Sequence, residues 1–361
     1  MDYNKKETNI KMIAELSNAI GVSGFEDDVV NIIRKYCEDL GTMKEDTLRN
    51  LFLYRNGNTG NRPVVQLDAH TDEVGFMVQA IRSNGTLQMI PLGSWVTSNI
   101  PAHKVQVRNF EGEYISGIIG SKPPHYMSEQ EKKSGLDIKQ LSVDVGARSQ
   151  QEAINDFAIR IGEPIAPFAE FEYIEKRDIM MGKAFDNRLG CAGLVTTLKL
   201  LEQEQLQVDL VAGFAAQEEV GTRGAVVTSR VIKPDIAIVF EGCPADDTIV
   251  DTFEIQTAIK KGPMLRHIDA KMIVNPRFQR FVLDLAARHN IPVQEGVRSG
   301  GGTNGAAIHL SNEGVPTIVI GVPVCYAHTH YGISTYYDYE NSVKLACEIL
   351  KVLNEDIIKS F

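Results

Sequence analysis

Four separate apolar runs in this chain each lead into a histidine or a carboxylate, and that repetition limits the folds open to it. Leu206–Gly224 reads LQVDLVAGFAAQEEVGTRG, an almost unbroken apolar run that gives way to two adjacent acids, Glu218 and Glu219. Such a run suits a strand buried on both faces, as in a parallel sheet flanked by helices. Pro63–Glu73 passes in the same way into His70 and Asp72, Pro234–Gly242 into Glu241, and Pro316–His330 into His328 and His330. In open α/β sheets the ligand crevice lies beyond the carboxyl ends of the strands, so four such ends define one shared polar site. A single pair of acids at one strand end would mean little, because acids are common there.

A chain of 361 residues is expected to form about two domains. Its net charge of −10 argues against a nucleic-acid or acidic-membrane partner, since either needs a basic face. No apolar run approaches the roughly 20 residues of a membrane span, and the first residues, MDYNKKETNIKMIAEL, lack the apolar core of a signal peptide. Five scattered cysteines, at 37, 191, 243, 325 and 347, fit a reducing cytoplasm and argue against a thiolate zinc site.

Taken in order, Asn9–Leu40 reads as two helices, the second opened at Phe25 by a capping-box spacing of Ser23 and Glu26. Met43–Arg55 and Arg62–Ala69 read as strands. From about Val74 to Pro164 the texture changes: short alternating stretches at Gly75–Ile81, Thr86–Ile90, Lys104–Val107 and Tyr114–Ile119 predict a small barrel inserted directly after the first ligand strand. Ser121–Gly135 is polar and prolyl and is expected to be a mobile loop, while Ser149 and Glu152 open a short helix. The α/β pattern resumes from Tyr173. Helices are expected after Asp186, at Ala225–Ile232, Pro276–His289 and Gly305–Leu310, and finally over Tyr339–Ile358 with Asp338 as its cap. The fold expected is therefore α/β, a mostly parallel helix-flanked sheet in a domain of residues 1–74 and 165–361, interrupted by a small β-barrel domain of residues 75–164.

The candidate donors are two histidines, one aspartate and three glutamates from five segments. Nitrogen and carboxylate oxygen without sulfur suit zinc first, with cobalt or manganese as alternatives. One metal normally takes three protein ligands, so five donors imply two ions sharing a carboxylate, with a further free carboxylate to handle a proton. The adjacent pair Glu218 and Glu219 suits that division, one as ligand and one as base.

The stretches His70–Gly75 (HTDEVG), Ala184–Arg188 (AFDNR), Gln217–Ala225 (QEEVGTRGA) and Tyr326–His328 (YAH), with Gly21–Glu26 and Asp144–Ala147, together resemble the tetrahedral aminopeptidase family of metallopeptidases, which includes glutamyl, leucyl and deblocking enzymes. That resemblance implies hydrolysis of the amino-terminal peptide bond of peptide substrates. It implies His70, Asp186 and Glu241 on one metal, Asp186, Glu219 and His328 on a second, Glu218 as general base, and Asp72 orienting the His70 ring. It also implies a cis peptide at Asp186–Asn187, a barrel that mediates dimerisation, and a homo-oligomer that can reach a dodecamer. The YAH register favours His328 over His330.

Two positions depart from the family pattern, Glu241 and Asn304, each standing where it usually has aspartate; the second is expected to remove a charge near the substrate side. Lys260, Lys261 and Arg266 form either a basic pocket for acidic side chains or a solvated basic stretch. Two other readings compete: an endoglucanase-like glycosidase using paired carboxylates, and a noncatalytic, metal-stabilised assembly protein. The single tryptophan, Trp95, and the histidine donors weigh against the glycosidase.

Overall fold

The apolar runs form neighbouring strands of one sheet. The computed structural model describes residues 3–361. It begins with helices α1 (Tyr3–Asn18) and α2 (Asp27–Cys37), the hairpin β1 (Gly41–Glu45) and β2 (Leu51–Arg55), and then β3 (Val64–His70). The stretch expected as one strand over 43–55 is thus two. Asp46 turns the chain, because its carboxylate accepts the backbone amides of Leu48 and Asn50. Helix α2 also starts later than expected, and Ser23 with Glu26 is not a capping box. The Ser23 hydroxyl donates to Asp72, and the Glu26 carboxylate accepts from the amides of Gly24 and Gln217, so both side chains serve contacts distant in sequence.

After β3 the chain leaves the sheet. It builds a closed barrel from β4 (Gly75–Ile81), β5 (Leu87–Leu92), β6 (Lys104–Arg108), β7 (Tyr114–Gly120), β8 (Ser142–Asp144) and β9 (Pro164–Pro167), arranged β4-β5-β8-β7-β6-β9. Alternate residues point inward, so Phe76, Val78, Leu87, Met89, Val105, Val107 and Ile165 form a core of the barrel's own. The segment expected as a loop carries a 3-10 turn (Pro124–Tyr126) and a short helix, α3 (Glu129–Lys133). Helix α4 (Gln150–Asn155) follows, its first turn capped where the Ser149 hydroxyl accepts from the Glu152 amide.

The chain returns through β10 (Glu172–Ile174) and β11 (Ile179–Gly182) to α5 (Phe185–Leu200), β12 (Asp209–Ala215), α6 (Arg223–Ile232) and β13 (Ile236–Pro244). Then come β14 (Met264–Ile268), α7 (Pro276–Arg288), β15 (Gln294–Val297), α8 (Gly305–Ile308), β16 (Thr317–Val324), β17 (Gly332–Ser334), α9 (Tyr336–Val352) and α10 (Glu355–Lys359). The final helix is therefore not continuous and not capped by Asp338. The Thr335 hydroxyl caps α9, Asn354 caps α10, and the Asp338 carboxylate instead accepts from the amides of Lys260 and Gly262.

The large sheet runs β1-β2-β12-β3-β13-β16-β14-β15. Its central neighbours β12, β3, β13 and β16 are all parallel. Every residue of β12 and β16 is buried, as strands covered on both faces must be. Helices α1, α5 and α9 pack together on one face, and α6 with α8 on the other. Among the described residues, no helix is long and apolar enough to cross a membrane.

Candidate metal centre

The parallel register puts the ends of the central strands side by side. Ala215 of β12 lies opposite His70 of β3, so the turn carrying Glu218 and Glu219 starts beside the His70 ring. Glu241 does not follow its strand but lies inside β13, opposite Gly321. Asp186 reaches the same point from the start of α5, where Asp186 and Asn187 have non-helical backbone angles and are joined by a cis peptide. Its side chain does not cap the helix. Gly242 makes this approach possible, since a Cβ there would stand 2.5 Å from the Asp186 Cα.

Asp186 faces both imidazoles. Its Oδ1 is 3.1 Å from His70 Nε2 and its Oδ2 is 3.4 Å from His328 Nε2. Glu241 Oε1 lies 3.6 Å from His70 Nε2, and Glu219 Oε2 lies 3.5 Å from His328 Nε2. Donor atoms of His70, Asp186 and Glu219 all lie within 4.8 Å of one another. The two imidazoles are held from behind in different ways. His70 Nδ1 is 3.1 Å from the Asp72 carbonyl and 3.3 Å from the Asp72 carboxylate, whereas His328 Nδ1 is 2.9 Å from the carbonyl of Ser94 in the barrel. Asp72 is itself fixed by the Ser23 hydroxyl at 2.6 Å and by the amides of Glu218 at 2.8 Å and Glu219 at 3.1 Å. His330 points elsewhere, stacked on His103.

The charges here are unbalanced. Burial, then the neighbouring acids, pushes the carboxyl of Glu218 well above its ordinary range, and burial with Asp186 pushes Glu219 up to about 8. Glu241 is raised as well, chiefly by burial. Burial would also raise Asp186, but its hydrogen bonds to His328 and His70 hold it low. Both histidines are raised in turn: burial opposes this, and the carboxylates around them prevail, taking His328 to about 10. Nitrogen and oxygen donors gathered in a largely buried space with excess negative charge fit hard or borderline divalent cations. The Cys191 thiol is turned to the backbone, since its Sγ donates to the His70 carbonyl.

Beneath the donors lies a buried ionic cluster that the sequence reading missed. Lys183 Nζ is 2.6 Å from Glu73 Oε1, and the Arg188 guanidinium contacts the same oxygen at 3.3 Å while donating to the carbonyls of Thr71 and Leu16. The signal was available: these charges lie within three residues of His70 or Asp186 in sequence. Two expectations need correction. Arg266 is buried against Asp269 and Cys243 and opens no basic pocket. Asn304 is also buried, donating to Asp68 Oδ1 at 2.7 Å, so its amide serves an internal acid. His125 is exposed in a turn following β7. Beside the donors a small cleft of about 20 Å³ is walled by Val74, Ala184, Phe185, Val324, Tyr326 and Ala327.

Comparison with known proteins bears on this geometry. A model of the M42 glutamyl aminopeptidase family matches residues 50–345. The putative aminopeptidase FrvX of Escherichia coli is 32% identical over 356 residues, covering 98% of each chain. A TET aminopeptidase from the marine sediment archaeon Thaumarchaeota archaeon SCGC AB-539-E09 superposes with a TM-score of 0.94 at 34% identity, covering 98% of this chain and 99% of that one. The Pyrococcus horikoshii TET1 peptidase, described as assembling into a tetrahedron or a large octahedral shell, is 25% identical with a TM-score of 0.85, covering 96% of this chain and 100% of its own.

Proposed function

This chain belongs to the M42 glutamyl aminopeptidase family, and from that premise we propose that it removes single residues from the amino ends of peptides at a pair of divalent ions. His70, Asp186 and Glu241 would hold one ion, and Asp186, Glu219 and His328 the other, with Asp186 shared. Zinc suits these donors best, with cobalt or manganese next. The observation that supports the reading is the placement of the two Asp186 oxygens against two separate imidazoles.

Bound there, such ions supply Lewis-acid polarisation of the scissile carbonyl and an acidified water. The protein's own residues supply the rest. Glu218, set beside the ligands and raised in proton affinity by burial, takes a proton from the attacking water and returns it to the departing amine. Asp72 holds the His70 ring and, through the amides of Glu218 and Glu219, the turn that presents the base.

The barrel, taken as residues 75–164, is the proposed dimerisation domain of a homo-oligomer, against a catalytic domain of residues 1–74 and 165–361. Exposed Phe110, Ile118 and Ile161 give it apolar surface for a second copy, and the likeness to a shell-forming peptidase supports larger assemblies. Five free, buried cysteines accord with a reducing cytoplasm. A glycosidase would not need these imidazoles, and Trp95 lies in an internal contact instead of a sugar platform.

The test is to strip the protein with a chelator, reload it with zinc, cobalt or manganese, and assay a panel of aminoacyl substrates. Activity lost on stripping and restored on reloading is expected. Hydrolysis unaffected by chelation, or none on any substrate with any metal, overturns the proposal.

A further inference from the structure

We infer that the barrel is a working part of the catalytic centre: its turn at 93–95 and His103 position His328, and with it one of the two proposed metal positions. The inference rests on the two-ion reading above.

The two residues that serve only this second position both meet the barrel turn. His328 Nδ1 is 2.9 Å from the Ser94 carbonyl; donating there leaves the Nε2 lone pair for the Asp186 and Glu219 side. Gly93 comes so close to Glu219 that a Cβ on it would lie 3.3 Å from the Glu219 Cβ, and its φ of +82° is one that a side chain disfavours. The turn is anchored next door. Trp95 stacks on Phe76 with centroids 4.8 Å apart and donates from Nε1 to the Gly75 carbonyl at 3.2 Å.

The loop carrying His328 is also gripped two residues on. The His330 ring is fully buried, 3.9 Å from His103 and nearly parallel to it, and 5.3 Å from Trp95. Its two ring nitrogens have no hydrogen-bond partner among the described residues, so it acts through its faces. His328 itself has a positive φ of 60°, a backbone that needs support from its surroundings. His70, by contrast, is oriented by Asp72, two residues away in its own segment. Loosening the barrel contact should therefore weaken one metal position and spare the other.

The test uses the full chain and zinc alone. Zinc binding to metal-free protein is measured by calorimetry for wild type, His330→Phe, His330→Ala and Trp95→Leu, with circular dichroism melts as a check on folding. His330→Phe, which keeps the flat stacked ring, should retain both binding events and the wild-type turnover. His330→Ala and Trp95→Leu should keep one event and weaken the other by roughly tenfold or more, the usual cost of losing an outer partner of a ligand. Unchanged binding in both, or equal weakening of both events, overturns the inference, the second by reducing the contact to general packing. Should His330→Ala not fold, Trp95→Leu and His330→Phe still decide it. Wild type taking up fewer than two zinc ions defeats the two-ion reading itself, and this inference with it.

Discussion

The carboxylate of Asp72 accepts the backbone amide of Glu218 at 2.8 Å, so one buried acid both steadies a proposed metal ligand and fixes the turn that carries the proposed base. Replacing it with asparagine turns one acceptor into a donor facing an amide or a hydroxyl. Asp72→Asn is expected to lower kcat by roughly 10- to 100-fold with a parallel loss of metal affinity. Steady-state kinetics alongside metal analysis would show it; full activity with full metal content would separate Asp72 from the centre.

Glu241 and Glu219 each come within 4 Å of an imidazole nitrogen, and among the described residues Glu218 forms no such contact, which suits a proton carrier better than a ligand. Glu218→Gln should keep the metal content of the wild type and lose turnover by about a hundredfold or more. Metal loss of the same size as the rate loss would make it a ligand.

Glu73 stands against two cations in a space closed to water, Lys183 at 2.6 Å and Arg188 at 3.3 Å. Glu73→Ala leaves both uncompensated and is expected to destabilise the fold by roughly 3–5 kcal/mol. Denaturant unfolding of metal-free protein measures this without interference from the ions. A change below about 1 kcal/mol, the size of an exposed pair, would contradict the burial argument.

Burial, against the hydrogen bonds from Asn304 and Gln66, pushes Asp68 up to about 7. Asn304→Asp sets a second carboxyl against it, and two such groups cannot both ionise. The folded pair then keeps a proton that the unfolded chain releases above about pH 4, so the folded state binds more protons and stability falls as pH rises. In the wild type this loss ends once Asp68 ionises, near 7. The variant should go on losing stability above that point, by up to about 1.4 kcal/mol per pH unit. Urea unfolding of both proteins at about pH 6 and about pH 9 gives the comparison; a gap that does not widen with pH would refute it.

Much of this architecture was legible because burial on two faces leaves a plain mark: β12, β13 and β16 are almost unbroken apolar runs, and the barrel strands alternate. The residues at their ends could be read as one site for the same reason. What escaped was set by partners far away in sequence. Ser23 and Glu26 have the spacing of a helix cap, yet Asp72 and Gln217 compete for them and win. Strand β14 carries Arg266 and His267, which mask it as a strand until Asp269 and Cys243 are seen to satisfy the arginine. Asn304 looked like part of a substrate wall because nothing nearby in sequence announces Asp68 as its partner. The contact of Ser94 with His328 is between a backbone carbonyl and a side chain, and a carbonyl carries no identity that a sequence could display.

The barrel interrupts the chain immediately after His70, and the other proposed ligands follow in the order Asp186, Glu219, Glu241 and His328. A ribosome therefore delivers one proposed donor before the barrel and the other four after it. If those five residues are the ligands, as proposed, a chain that stops short of His328 would lack part of the centre, and the peptidase would be silent through most of its own translation.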